Sequence, residues 1–516
     1  MEKQIVHESR VKKSLLNARV NLIFYFLTLA LSFFSRKIFL DCLGADFVGL
    51  TGTLQNLLGF LNLAELGIGA AIGYVLYKPL FDHDEEKINE IISVFGYLYR
   101  WIGFIILGAG VILAGFLPLI FPNTEFEMGI IFFAYFSFLV SSLIGYFANY
   151  KQTLLGADQK NYVVTAYFQT ATIIKTLIQM ASAYYTGSYY LWVVIELVFG
   201  VIYSFILNWK INRVYPWLRS EVHLGKQLFK KYPEVMKYTK QLFVHKIGSF
   251  TQFQVTPILT YAFVSLQTVA YYGNYTIITD KLNLFISNFL NSTSAGVGNL
   301  IAEGNQNKIQ RIYWELMSIR FLIGGIIVFV VSQLLPSFII LWLGPEYILS
   351  DAVLYLLLII FFINITRGAT EQFLFGYGLF SDVWAPLIES IIFAIVAIIC
   401  GYFWGLEGVL LGNISSLIVI VLLWKPYYLF TKGFKIPIIK YWLNWIKYLC
   451  LIASSIVISL YILRFLNVVS GRYNSWLELC FDAMIVTAIY IIISFFLFIM
   501  CTRGLKDIVL RIINRR

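Results

Sequence analysis

Cations stand inside long apolar runs at Arg100, Lys175, Lys246, Lys281, Arg320, Arg367 and Lys447. A charge at the centre of a bilayer costs roughly 3 kcal/mol or more, so such residues should face protein or water. Arg100 and Arg320 lie at matching depths, about nine residues into their runs, and Arg367 lies about ten residues from the inner end of its own. Lys175 and Lys281 fall nearer the midplane. A cavity lined this way attracts anions, and a guanidinium grips a phosphate through two parallel hydrogen bonds. Structural roles compete at several positions. Arg367 and Glu371 are spaced i,i+4 and can simply neutralise each other, while Lys246 and Lys447 are close enough to an end to snorkel.

Carboxylates share these runs at Glu65, Glu196, Asp280, Glu371 and Glu389. One acidic group in a cavity can carry a coupling proton or sodium ion. Asp280 cannot face Lys281, because adjacent helical side chains point about 100° apart. Glu65 is the first choice for coupling, with Asp280 and Glu371 behind it, since Asn62 lies one turn away as a partner that also faces the cavity. A hydrogen-bonded structural carboxyl accounts for Glu65 equally well. After it come Gly67, Gly69 and Gly73, which lower the cost of a bend, and then Tyr77-Lys78-Pro79-Leu80. This stretch reads as a gating helix with a polar inner face and a glycine hinge. No HExxH, no Walker-type glycine loop and no Cys/His cluster occurs. Neither an enzyme nor a metal site is expected, and the only cofactor implied is a coupling ion, H+ or Na+.

The elements that must position these groups follow from composition. Of 516 residues 59% are hydrophobic and 13% charged, about half the charged share of soluble chains. An all-α polytopic membrane protein is expected, with about fourteen transmembrane helices of 20 or more apolar residues. They fall near 18–40, 47–77, 91–120, 129–150, 162–185, 189–209, 239–264, 267–299, 312–342, 350–376, 384–403, 407–428, 441–464 and 476–501. Met1 to Lys13 is polar and the first run is long enough to span, so no cleavable signal is expected. The five cysteines are scattered and read as small hydrophobes.

The formal charge of +11 is a matter of topology, not of nucleic acid. Most of the loop cations fall on one side of the expected spans, whereas the other side holds Arg36, Lys37, Arg464 and Arg472; by the positive-inside rule both termini are cytoplasmic. A basic, aromatic-rich segment, 211–238, reads as an amphipathic linker lying on anionic membrane lipid. It divides an internal repeat: at a shift of about 220 residues Arg100 falls on Arg320, Gln152 on Gln372 and Gly156 on Gly376, and one residue of slippage brings Lys87-Ile88 onto Lys308-Ile309. The expected organisation is therefore an N-lobe, 1–210, the linker, a parallel C-lobe, 239–428, and two extra helices with a basic tail, 429–516.

Ala64-Glu65-Leu66-Gly67-Ile68-Gly69, then Tyr77-Lys78-Pro79-Leu80, then Tyr99-Arg100 with Ile102-Gly103 resembles the N-terminal half of the Wzx-type polysaccharide flippases. These belong to the polysaccharide transporter branch of the multidrug/oligosaccharidyl-lipid/polysaccharide exporter superfamily. The resemblance implies two six-helix lobes in a V-shaped arrangement plus two extra helices. It also implies a substrate of sugar repeat units on undecaprenyl pyrophosphate, moved to the outer leaflet of the bacterial plasma (inner) membrane for O-antigen, capsule or exopolysaccharide assembly. A polymerase and a chain-length regulator of the same pathway are the partners it implies. In related lipid II flippases arginines on the first, second and eighth helices form the pyrophosphate site; here Arg19 and Lys281 match two of those places and the second helix has no deep arginine. A multidrug exporter of the same superfamily is the alternative, and it should prefer a net acidic cavity. A membrane glycan polymerase or ligase is the reading from another class, and the large outer loop such enzymes carry is missing.

Overall fold

In hydrocarbon no water satisfies the backbone, so apolar runs of this length must close their hydrogen bonds internally as helices. The computed structural model describes residues 10–513 except 66, 67, 123, 159, 292, 380, 467 and 469–474, and among them every regular element is helical. In order these are α1 (Arg10–Leu61), α2 (Ile68–Asp82), α3 (Glu85–Ile120), α4 (Met128–Phe147), α5 (Gln152–Ala157), α6 (Asn161–Thr186), α7 (Tyr189–Val214), α8 (Gly225–Phe229), α9 (Pro233–Phe263), α10 (Leu266–Asn291), α11 (Ser294–Ala302), α12 (Gln306–Trp342), α13 (Asp351–Gly376), α14 (Ala385–Ser416), α15 (Lys425–Tyr428), α16 (Ile439–Phe465), α17 (Trp476–Cys501) and α18 (Arg503–Ile513). Among the described residues nine helical stretches are long and apolar enough to cross a membrane. Each expected span coincides with a helical stretch, and the chain is a multi-pass, all-α membrane protein.

Two of the expected pairs of spans run on through single bent elements. α1 breaks at Gly44 (φ 83°) and α14 at Gly405 (φ 56°, ψ −128°), in the positive-φ region that only glycine enters without strain. Beyond Gly405 the chain continues through a π-helical turn, Leu417–Trp424, to α15. The halves of α14 on either side of Gly405 approach so closely that a Cβ on Gly408 would clash with the Cys400 carbonyl, and one on Gly412 would lie 2.6 Å from Ala397. Small residues permit this backbone approach in place of side-chain interdigitation.

The repeat is visible in local geometry. His83 (φ 54°) precedes Asp84, which caps α3 by accepting from the Lys87 amide at 3.0 Å; Gly304 (φ 76°) precedes Asn305, which caps α12 by accepting from the Lys308 amide at 3.1 Å. The helices so started are 36 and 37 residues long. Ahead of each lies an interrupted span: one breaks between α1 and α2, through a 3-10 turn at Asn62–Glu65, the other between α10 and α11.

The chain divides into two compact units, Met1–Ala270 and Tyr271–Arg516. This differs from the expected boundary, because α9 packs on α1 and α2 in the first unit. The linker packs on α3. Tyr215, Leu218, Val222 and Tyr232 are buried. The Arg219 amide donates to Asn89 Oδ1 at 2.7 Å, the Glu221 amide to Ser93 Oγ at 2.8 Å, and Lys231 Nζ to Glu90 Oε2 at 2.7 Å. Polar side chains on the first turns of α3 accept the linker's amides, and its buried apolar residues pack against protein.

In the second unit α16 and α17 pack on α12, with Phe329 and Tyr490 stacked at 4.3 Å. The tail helix α18 lies along α12 as well. Gly504 meets Trp314 and Ser318, and Arg511 Nη2 donates at 2.6 Å to Glu315, a carboxylate only 3% exposed.

Candidate functional site

The two interrupted spans are each closed by polar side chains from the two spans that follow. In the first unit the Glu65 carboxylate ends the 3-10 turn and accepts on one oxygen from Tyr99 Oη of α3. Its other oxygen accepts from Tyr146 Oη of α4 at 2.7 Å, and Tyr146 also reaches Asn62 Oδ1 at 2.9 Å. Both phenols donate to Glu65, which as an anion only accepts; a proton on it would add one donor to the cluster. Glu65 thereby links the 3-10 turn to α3 and α4.

In the second unit the clasp has the opposite sign. Arg320 of α12 is only 2% exposed; its Nη1 donates to the Ile365 carbonyl at 3.0 Å and its Nη2 to Asn291 Oδ1, at the end of α10, at 3.0 Å. Gln372 of α13 donates to the Leu290 carbonyl at 3.2 Å and to Asn291 Oδ1 and Thr293 Oγ1, each at 3.3 Å. Gly368 leaves the space for this guanidinium, since a Cβ there would run into Nη1. One turn away on α13, Arg367 Nε donates to Glu371 Oε1 at 2.8 Å and Nη1 to Asn364 Oδ1 at 3.3 Å. The i,i+4 pairing expected for Arg367 and Glu371 is therefore formed.

A third polar group lies wholly in the first unit, where Lys175 Nζ of α6 meets Glu196 Oε1 of α7 at 2.6 Å and Gln179 holds the other oxygen at 3.1 Å. The pair lines a cavity of about 450 Å³ with Ser141, Asn149, Thr172 and Tyr203. Both side chains are 20% exposed. Removing the cation alone strands a half-enclosed anion, so Lys175→Ala should cost about 2 kcal/mol more than Lys175→Ala with Glu196→Gln. Thermal unfolding of the two variants in the same detergent checks this, and equal losses would remove the pair from any account of stability.

The remaining expected site residues are placed as follows. Arg100 is exposed on α3, on the stripe it shares with Phe104 (59% exposed) and Val111 (54%), so the two arginines equated by the repeat sit in unlike surroundings. On α10, Asp280 is exposed and Lys281 half-buried, about three turns before the Asn291 clasp. α2 is regular helix through Gly69 and Gly73, and Gly67 lies outside the described residues. Among the described residues the interruption is the 3-10 turn Asn62–Glu65. Sequence reasoning did not assign roles to Tyr99, Tyr146, Asn291, Thr293 and Gln372. Two signals pointed at them: Tyr99 precedes Arg100 in the quoted motif, and Gln372 is one of the polar matches of the repeat.

No family model matches the chain, and no curated protein matches it. Solved structures do. A structure of the lipid II flippase MurJ in an inward closed conformation superposes with a TM-score of 0.63 at 15% identity, covering 92% of this chain and 98% of that one. An inward-facing multidrug resistance MATE transporter of the MOP superfamily gives 0.58 at 15% identity, covering 80% and 97%. A MATE protein in a bent conformation gives 0.51 at 15% identity, covering 81% and 94%. The chain has the fold that the MurJ flippase and the MATE transporters share.

Proposed function

We propose that the chain is a flippase for undecaprenyl-pyrophosphate-linked oligosaccharide repeat units. It carries them from the cytoplasmic to the outer leaflet of a bacterial plasma membrane by ion-coupled alternating access, with both termini cytoplasmic. The observation that carries this reading over drug export is the extent of the fold likeness, 92% of the chain for the lipid II flippase against 80% for the inward-facing MATE transporter. A buried guanidinium at one interrupted span and a carboxylate at the other support it, because an anionic head needs a cation to receive it and a titratable group to release it. Glu65 is the coupling group in this reading, and H+ or Na+ the ion.

The test is reconstitution in proteoliposomes loaded with a fluorescent lipid-linked oligosaccharide, with a membrane-impermeant quencher reading each leaflet. Flipping should rise at least tenfold over empty liposomes and follow an imposed ion gradient. Flipping equal to that of empty liposomes, alongside gradient-driven movement of ethidium, would replace this reading with the multidrug one.

A further inference from the structure

We propose that Arg100, with the linker lysines Lys226 and Lys230, holds the headgroup of an anionic phospholipid whose chains lie along α3. The site belongs to the first unit alone, and it stands whether the cargo is a lipid-linked sugar or a drug. From Trp101 to Ile120 α3 carries no charged, hydroxyl or amide side chain. That run makes about 30 Å of helix, the thickness of the hydrocarbon, so Arg100 stands at its edge, among headgroups. Tyr97 and Trp101, in edge-to-face contact at 6.5 Å, give the aromatic pairing that suits this plane. The stripe beyond Arg100 is bare, with Phe104 59%, Ile105 57% and Ile112 68% exposed. In the second unit the matching face of α12 is covered. Gly325, at the place of Ile105, would meet Ile452 of α16 and Tyr490 of α17, and Phe329, at the place of Ala109, stacks on Tyr490. Lipid chains occupy in the first unit the face that α16 and α17 take in the second.

Charge selects which lipid. The linker helix α8 crosses α3 at Tyr97, so closely that a Cβ on Gly225 would run into Tyr97 and the Ser93 carbonyl. Arg100 lies one turn further along α3 on the same face as Tyr97. Lys226 directly follows Gly225, and Lys230 directly follows α8. All three cations are exposed, and among the described residues none of their side chains has an ion-pair or hydrogen-bond partner. The nearest carboxylate before Arg100 on α3, Glu90, is already held by Lys231 at 2.7 Å and by Tyr232. The edge therefore keeps its positive charge. A guanidinium takes a phosphodiester through two parallel bonds, and the two lysines favour a headgroup without a compensating ammonium. A lipid held this way bridges α3 and the linker.

The test uses the full-length protein in detergent and follows binding of phosphatidylglycerol, phosphatidylcholine and glycerol phosphate by native mass spectrometry. A cation beside an anionic headgroup is worth about a fivefold change in affinity, so wild type should prefer phosphatidylglycerol to phosphatidylcholine by at least that factor. Arg100→Ala should weaken phosphatidylglycerol binding about fivefold, and Lys226→Ala with Lys230→Ala should abolish the preference between the two lipids. Arg213→Ala removes an exposed cation that lies over Trp209 at the end of α7, and it should change neither quantity. Equal binding of the two lipids by wild type, or an Arg100→Ala protein that binds phosphatidylglycerol like wild type, overturns the site. An equal loss in Arg213→Ala reduces it to attraction by net charge and overturns it as well. Displacement of the lipid by glycerol phosphate overturns the lipid assignment. A dimer that Ile112→Trp breaks and phosphatidylglycerol leaves intact gives the face to a second copy of the chain instead. Should Arg100→Ala melt early, the double lysine variant on the surface of α8 decides the outcome.

Discussion

Glu65→Gln should reduce gradient-driven flipping at least tenfold, to the rate seen with no gradient, while leaving substrate binding and thermal stability near wild type. Glutamine keeps the size of the side chain and can still bond both phenols, one of them reversing to accept from the amide. What it cannot do is gain or lose a charge. A unit charge a few ångströms from a neighbour in low dielectric is worth several kcal/mol, more than the ~1.4 kcal/mol that a tenfold rate change requires. Tyr99→Phe and Tyr146→Phe should give intermediate losses, since each keeps the titrating group and cuts one link to a neighbouring helix. Proteoliposomes with imposed proton or sodium gradients provide the measurement. A Glu65→Gln protein stimulated as strongly as wild type would exclude Glu65 as the coupling group.

The largest stability effect is expected at the turn of α14. The Cβ of alanine at Gly408 would overlap the Cys400 carbonyl and approach the Gly401 amide within 2.5 Å, and both are backbone atoms that cannot swing aside. Overpacking of this kind costs about 1–3 kcal/mol even where side chains can adjust, so Gly408→Ala should lose at least ~3 kcal/mol or fail to accumulate. Gly412→Ala meets Ala397 in the same hairpin and should behave alike. Gly108→Ala is the control, because nothing lies within 4 Å of its Cβ position. Size-exclusion profiles after graded heating would rank the three, and a Gly408→Ala protein as stable as Gly108→Ala would refute the close packing of the hairpin.

The spans were legible in the sequence because hydrocarbon leaves a long apolar run only one regular conformation. The repeat was legible for a similar reason, in that polar matches such as Lys87 with Lys308 mark helix starts whose capping geometry has to recur. The clasps were legible only in part. Glu65 and Arg320 stood out as charges in apolar runs, but their partners are tyrosines, asparagines and a glutamine of a chain with 34 Tyr, and no composition rule separates those few from interfacial anchors. Arg100 shows the limit of repeat reasoning: equal depth fixes height along a helix and leaves the direction of the side chain open. The linker's contacts were not legible for another reason. Basic residues interleaved with aromatics fit a lipid surface and a protein surface equally well, and nothing in them points to the acceptors at Asn89, Glu90 and Ser93.

The bond between Glu315 and Arg511 carries a consequence for synthesis. The two residues are 196 positions apart, so the ribosome finishes α12 long before it reaches the tail. At 5–20 residues per second the carboxylate waits on the order of 10–40 s with only Arg311, at 3.7 Å, beside it. A chain that lacks α18 never receives the second cation. The Glu315 carboxylate therefore stays short of its second cation until α18 has been made and has docked on α12.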